Sequence, residues 1–377
     1  MLGEPALSAG ATMIGISVIG EGLLAAAWAG SLARVSGVRL LGDAAPGTEG
    51  RTQRTGPADL AALLESPAAQ GVVLAGPSPD LYALAKHALL AGKHVFHGGP
   101  FFLRTHQVAT LSELARRQGL LLAFREDRAH HPAFAFLARM VSGAHPFWPP
   151  VYARSLRTMP PEPEMSHQVD ALAAAEIAAM VRLLGSPRSV TAVGCRREGG
   201  RGLDAAFLTL FYGSGPTAQM IVSLAEATPA AELTVVAGGR TLTLDDFDLR
   251  APLKVATLPQ EAGFSRRSAS PGLMQTAGEH LVPNAPVRDP VVEQARAFVE
   301  AIVSKDLGGS NASVWVQVAL VWETALESMA LDGRPVALPW WPSRPGHEKA
   351  PPLRVIEGGG SGSAAAEQRP VLTLVSS

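Results

Sequence analysis

The chain has 377 residues, too many for one ordinary hydrophobic core and enough for two domains. Hydrophobic residues make up 47%, so sizeable cores can be built. With 32 basic and 33 acidic residues the formal net charge is -1, and no run of like charges stands out, which excludes an electrostatic case for nucleic acid or an anionic membrane.

The single cysteine, Cys195, excludes an internal disulfide and a cysteine-rich metal site; it is expected as a small buried apolar side chain. Residues 14–30 are apolar, but Glu4 rather than a basic residue precedes them and Glu21 lies within them. No apolar stretch reaches the length of a membrane span, so a soluble, cytoplasmic protein is expected.

The elements alternate regularly at first. Residues 13–19 are apolar or β-branched, as in a strand buried on both faces. A glycine turn follows, then an apolar helix to about residue 33, closed by Ser36-Gly37. Residues 38–41 read as a strand, 59–64 as a short helix, 72–75 as a strand and 81–90 as a helix stopped by Gly92. Residues 94–97 read as a strand, 105–117 as a helix and 120–124 as a strand. This alternation predicts a parallel sheet with right-handed crossovers, a Rossmann-type domain over residues 1–127.

Beyond residue 127 the pattern changes. Residues 151–157, 190–197, 206–212, 217–224, 232–237 and 241–244 read as strands, several in direct succession, with Gly238-Gly239 as a hairpin signal. Helices are expected over 169–184, 291–302 and 314–330. Residues 128–339 therefore predict a second α/β domain with an open, mainly antiparallel sheet. Residues 340–377 are Pro-rich and then Gly/Ser/Ala-rich, a flexible tail. Its apolar end, residues 371–375, is either a frayed terminus or a strand for a partner's sheet edge.

The turn Gly20-Glu21-Gly22-Leu23-Leu24-Ala25 has the spacing of a dinucleotide-binding turn. Gly20 would take the tight turn, Gly22 would let phosphate approach the backbone, and Ala25 is small enough for helix–strand packing. Amides and dipole at the helix start favour an anion there. Glu21 and Leu23 lie in the turn; Gly76, Pro77 and His97 are further cofactor-facing candidates. Asp43 falls about 20 residues on, where a ribose-binding acid belongs. Arg51 and Arg54 are the alternative, as holders of a 2′-phosphate. NAD and NADP both remain open.

From about residue 12 to 339 the chain resembles the Gfo/Idh/MocA oxidoreductases. The resemblance rests on the Gly20 turn, on Ala91-Gly92-Lys93-His94-Val95, and on Arg128 with His131-Pro132-Ala133. It continues through Leu183-Leu184-Gly185-Ser186-Pro187, the run from Gly239 to Phe247, and Gly333-Arg334-Pro335-Val336. It implies NAD or NADP as cofactor, a small-molecule ligand and a homo-oligomer. It also implies a Glu-Lys-Pro after the strand at 94–97 and an Asp-x-x-x-His on the long helix, but Gly99 stands at the lysine and Ala171 and Ala175 at the acid and the histidine. Arg125 and Glu126 replace the usual substrate-side residues.

Losing one positioned acid/base group commonly costs about 10²- to 10⁴-fold in rate. Two readings follow. In one, the chain keeps the fold, and a nucleotide, without the usual hydride transfer, and serves a protein partner. In the other, it is an active NAD(P)-dependent oxidoreductase on a sugar-like or imine substrate with relocated groups. Candidates for these are His97, beside the vacant lysine position, and the pair His167 and Asp170, three apart at the start of the long helix. Glu176, just after the vacant histidine position, and Tyr212, on a strand, could also donate or accept a proton, Glu176 otherwise reading as a surface carboxylate, and His130-His131 lacks a nearby third metal ligand.

Overall fold

The computed structural model describes residues 13–20, 22–41, 64–76, 81–99, 103–142, 146–160, 168–197, 202–213, 215–248, 250–257, 280–281 and 289–339. Glu21, Asp43, Pro77, His167, Arg51, Arg54, most of the helix expected over 59–64 and the tail from 340 lie outside the described residues.

The first sheet is parallel and has the strand order β2-β1-β3-β4-β5. Its strands are β1 (Ile14–Ile19), β2 (Val38–Leu41), β3 (Gly71–Leu74), β4 (His94–His97) and β5 (Leu122–Phe124). Helices α1 (Gly22–Ala33), α2 (Leu81–Leu90) and α3 (Thr105–Gln118) connect them. Every residue of β3 is buried, because helices cover both faces. On one face Val72, Leu74 and Val95 meet Leu89 and Leu111; on the other Ile16 and Val73 meet Trp28 and Leu32.

The second sheet has nine strands in the order β13-β12-β11-β10-β6-β9-β8-β7-β14. They are β6 (Pro150–Thr158), β7 (Ser189–Cys195), β8 (Ala205–Phe211), β9 (Thr217–Ser223), β10 (Ala230–Ala237), β11 (Arg240–Asp245), β12 (Leu253–Thr257), β13 (His280–Leu281) and β14 (Val336–Ala337). All pairs are antiparallel except β6 with β9. Its inner face packs on α5 (Gln168–Leu184) and α7 (Ala312–Ala330), with Ile177, Met180 and Trp322 against Val190, Leu208 and Met220.

Two elements depart from the expected series. One is a helix, α4 (Pro132–Val141), after a short 3-10 turn at Arg128–His130; the other is the set of strands β12 to β14, which extend the large sheet at both edges. The His131-Pro132-Ala133 motif is the start of α4: His131 Nδ1 accepts the Ala133 amide and Pro132 begins the helix, where a missing N–H costs nothing. Phe134, Leu137 and Val141 then bury one stripe against the large sheet's core.

Helix α6 (Pro290–Ser304), although late in the chain, packs on the first sheet. Its Phe298 meets Phe96 edge-on at 5.4 Å between ring centroids, and Ile302 lies over Gly71. The first sheet's core is thus completed by residues almost 300 positions downstream of β1. No helix among the described residues is long and apolar enough to cross a membrane.

Candidate functional site

The order of the first sheet reverses between β1 and β3, and a ligand crevice forms at such a point, beyond the strands' carboxyl ends. Gly20 sits there with φ 154°. A Cβ on it would lie 1.4 Å from the Ala75 carbonyl oxygen, so only glycine permits this approach. Gly22, with φ 75°, opens α1 and has nothing within 4 Å of where its Cβ would be. The turn therefore brings backbone to open space at a helix start, and Ala25, 2% exposed, packs the helix onto the sheet. Leu23 is exposed on the first turn of α1, and Gly76, φ 130°, follows Ala75 at the end of β3.

A cavity of about 300 Å³ lies between the carboxyl ends of β4 and β5 and helix α5. Gly99, Ala171 and Ala175 all line it, so the three positions that carry lysine, aspartate and histidine in the resembled family converge on one space. The local packing and backbone conformation account for the glycines. Trp28 Nε1 donates to the Gly98 carbonyl at 3.0 Å, and a Cβ at 98 would come within 2.6 Å of that nitrogen. Gly99 has φ 56°, and the Arg125 stem lies 3.7 Å from where its Cβ would be. That distance is ordinary contact, so it is the positive φ rather than a lack of space that favours glycine at 99.

His97 ends β4 on the cavity wall, and its ring packs on Phe124 at 5.1 Å, which in turn stacks on Trp315 at 5.2 Å. Burial holds the imidazole well below its ordinary pKa, so it is neutral at pH 7. Asp170 does not line the cavity; its carboxylate accepts from Trp322 Nε1 at 3.0 Å, toward α7. His97 and Asp170 are therefore not brought together by the fold.

The remaining polar wall is a set of arginine–carboxylate pairs. Arg125 makes a two-pronged contact with Asp127 at 2.8 and 2.7 Å. Arg128 reaches Glu176 and Asp246, and Arg157 reaches the same two at 2.8 and 2.7 Å. Arg182 pairs with Glu126, which also accepts from Asn311 and Trp315. Burial raises the Glu126 carboxyl above the usual range despite these donors. For Asp127, burial acts in the same direction, but the Arg125 guanidinium and Gln294 outweigh it and the carboxyl is held low.

Glu176 is fully buried between two guanidiniums, which corrects its reading as a surface carboxylate. The signal was present: it falls four residues after Leu172 and four before Met180, on the helix face that enters the core. Arg157 and Arg182, on separate elements, carried no motif that would have singled them out. Cys195 is exposed at the end of β7 rather than buried, because it shares with Val193 the face of the strand turned away from the helices. Tyr212 lies just past β8, its hydroxyl buried without a partner among the described residues. No cluster of three or more metal-ligating side chains occurs among the described residues.

These features define a two-domain, nucleotide-crevice fold with an interdomain cavity, the fold of the Gfo/Idh/MocA-type oxidoreductases. A UDP-N-acetylglucosamine 3-dehydrogenase from Acidithiobacillus ferrooxidans superposes with a TM-score of 0.67 at 21% identity, covering 84% of this chain and 97% of that one. A levoglucosan dehydrogenase in complex with NADH and levoglucosan gives a TM-score of 0.67 at 13% identity, covering 87% and 100%. An enzyme of gentamicin A biosynthesis in complex with NAD gives 0.65 at 20%, covering 87% and 97%. In sequence, an uncharacterised oxidoreductase of Synechocystis sp. is 34% identical over 83 residues, a match spanning 22% of this chain and 22% of that protein. No protein-family model matches the chain.

Proposed function

We propose that the chain binds a nicotinamide dinucleotide at the Gly20–Gly22 turn and a small molecule in the interdomain cavity, without the lysine- and histidine-dependent hydride transfer of the resembled family. The observation that carries this is the wall of the cavity. Gly99, Ala171 and Ala175 cannot move a proton, and Glu126, Asp127 and Glu176 are each ion-paired with an arginine. A carboxyl that a guanidinium holds low, as at Asp127 and Glu176, is a poor base. The cofactor part rests on the open space where a Cβ of Gly22 would stand, at the start of α1, and on structurally similar proteins solved with NAD or NADH. The nicotinamide, when bound, would supply or accept a hydride. The chain's own residues would hold its phosphates at the start of α1.

One observation favours a second reading, in which the chemistry persists on other groups. His97 stands at the cavity wall one residue before the Gly98-Gly99 turn, fixed by Phe124. As a neutral imidazole it can hydrogen-bond a substrate carbonyl or imine.

Titration of the full chain with NADH and with NADPH, followed by nicotinamide fluorescence, tests the first part; no binding at millimolar cofactor overturns it. Turnover is then followed by nicotinamide absorbance on sugar-like and imine substrates. None is expected. Turnover lost in His97→Gln would establish the second reading instead. We also propose a homo-oligomer, built through the outer face of the large sheet, as the assembly.

A further inference from the structure

We infer that the interdomain cavity is a receptor for an organic carboxylate with an apolar body, rather than for a polyhydroxylated ligand. The inference rests on the proposed small-molecule role of that cavity and names its ligand class. Two independent observations carry it.

The first is the balance of unused hydrogen-bonding groups. Each carboxylate oxygen of Glu126, Asp127, Glu176 and Asp246 already accepts at least one bond. The guanidiniums are not exhausted. Among the described residues, Nη1 of Arg125, Nη1 of Arg157 and both terminal nitrogens of Arg182 make no bond. Arg128, 7% exposed on the cavity wall, has a buried Nη2 without a partner. What the arginines of this wall have left to offer is therefore charged donors. A sugar hydroxyl both donates and accepts, so these donors would serve only its lone pairs and not its proton. A carboxylate only accepts, and guanidinium matches it in geometry.

The second observation is the opposite wall. Ala171, Ala175, Ala178 and Ala179 lie along one face of α5, with Leu224 and Met159 beside them. They present no polar side-chain atom. A ligand lying on them buries apolar surface, and a hydroxyl placed there would lose its water without replacement. The stripe ends at Arg182, seven residues after Ala175 on the same face, so the apolar and cationic parts meet in one space.

Calorimetric titration of the full chain, without cofactor, with hydrocinnamate and with its uncharged twin hydrocinnamamide tests the inference. The carboxylate is expected to bind at least about tenfold tighter than the amide, the scale of a charge-assisted contact. Inorganic phosphate, lacking the apolar body, is expected to bind more weakly than hydrocinnamate. Arg125→Gln is expected to weaken hydrocinnamate about tenfold or more. Ala175→Glu, at a position exposed to the cavity, is expected to abolish binding by placing a carboxylate inside while the protein stays folded, read by thermal melting. Equal affinity for acid and amide, or tighter phosphate, overturns the inference. So does hydrocinnamate binding that survives Ala175→Glu in a folded variant. These outcomes are separate from cofactor titration and turnover, so the ligand class can fail while the proposed function stands, and the reverse.

Discussion

Glu176 shows what a single residue must do in this wall. Its two oxygens each accept from a different arginine, and it has no contact with solvent. Burial alone would raise its pKa, but the charges of Arg128 and Arg157 outweigh that and hold it below the usual carboxylate range. A carboxyl depressed on folding stabilises the protein above its unfolded pKa, and that stabilisation disappears as pH falls through the folded value. Replacing Glu176 by Gln leaves two guanidiniums facing a neutral amide. Loss of one partner from a buried ionic cluster costs about 3 kcal/mol or more. Urea unfolding at neutral pH is expected to show that loss in Glu176→Gln. The gap from the unsubstituted chain is expected to narrow as pH falls below about 4.5, where the unfolded carboxyl protonates. A constant gap across that range would show that the charge of Glu176 is not what matters. Glu126 acts in the opposite sense: its raised carboxyl favours the folded state at low pH and loses that contribution as pH rises through the folded value.

At the scale of elements, the local pattern was legible wherever it was decided locally. The strands and helices expected over residues 38–41, 81–90 and 94–97 coincide with Val38–Leu41, Leu81–Leu90 and His94–His97. The cavity was legible in part: the positions matching Gly99, Ala171 and Ala175 do converge, because motif spacing records which elements face each other. The arginine–carboxylate wall was not, since Arg128, Arg157, Arg182 and Asp246 come from different elements whose meeting is a property of the whole chain. Helix α6 shows the same limit. Its amphipathic stripe and its Asp289 cap, with Pro290 following, mark it as a helix, but nothing local says which sheet it covers. The structure seats its Phe298 and Ile302 against Ile16, Trp28 and Phe96. Removing a buried aromatic ring from such a cluster costs about 3–5 kcal/mol. Phe298→Ala is therefore expected to lower the midpoint of denaturant unfolding strongly. A change under about 1 kcal/mol would mean that α6 does not close the first sheet's core.

For the whole molecule, the two faces of the large sheet differ. Helices α5 and α7 cover the inner face, and alternation along each strand sends the next residue outward. The register then lines up an outer row: Leu156 beside Ile221, Ile221 beside Phe207, and Phe207 beside Val193. Phe207 is 44% and Val193 50% exposed, and Tyr152, two residues before Arg154 on the same face, is 45% exposed. A contiguous apolar row on a sheet face is seldom left to solvent by a chain that works alone. A second copy laid on it face to face makes each patch self-complementary, which is the geometry of a two-fold pair. Light scattering after size exclusion is expected to give twice the mass of one chain at micromolar concentration. Phe207→Glu places two carboxylates near a shared axis, and each would lose water without a partner; this variant is expected to elute as a single chain. The cavity lies on the other side of the sheet, so hydrocinnamate is expected to bind the separated chain as tightly as the pair. An unsubstituted chain that is monomeric at that concentration would remove the outer face as the interface. A Phe207→Glu protein that still pairs would place the interface elsewhere.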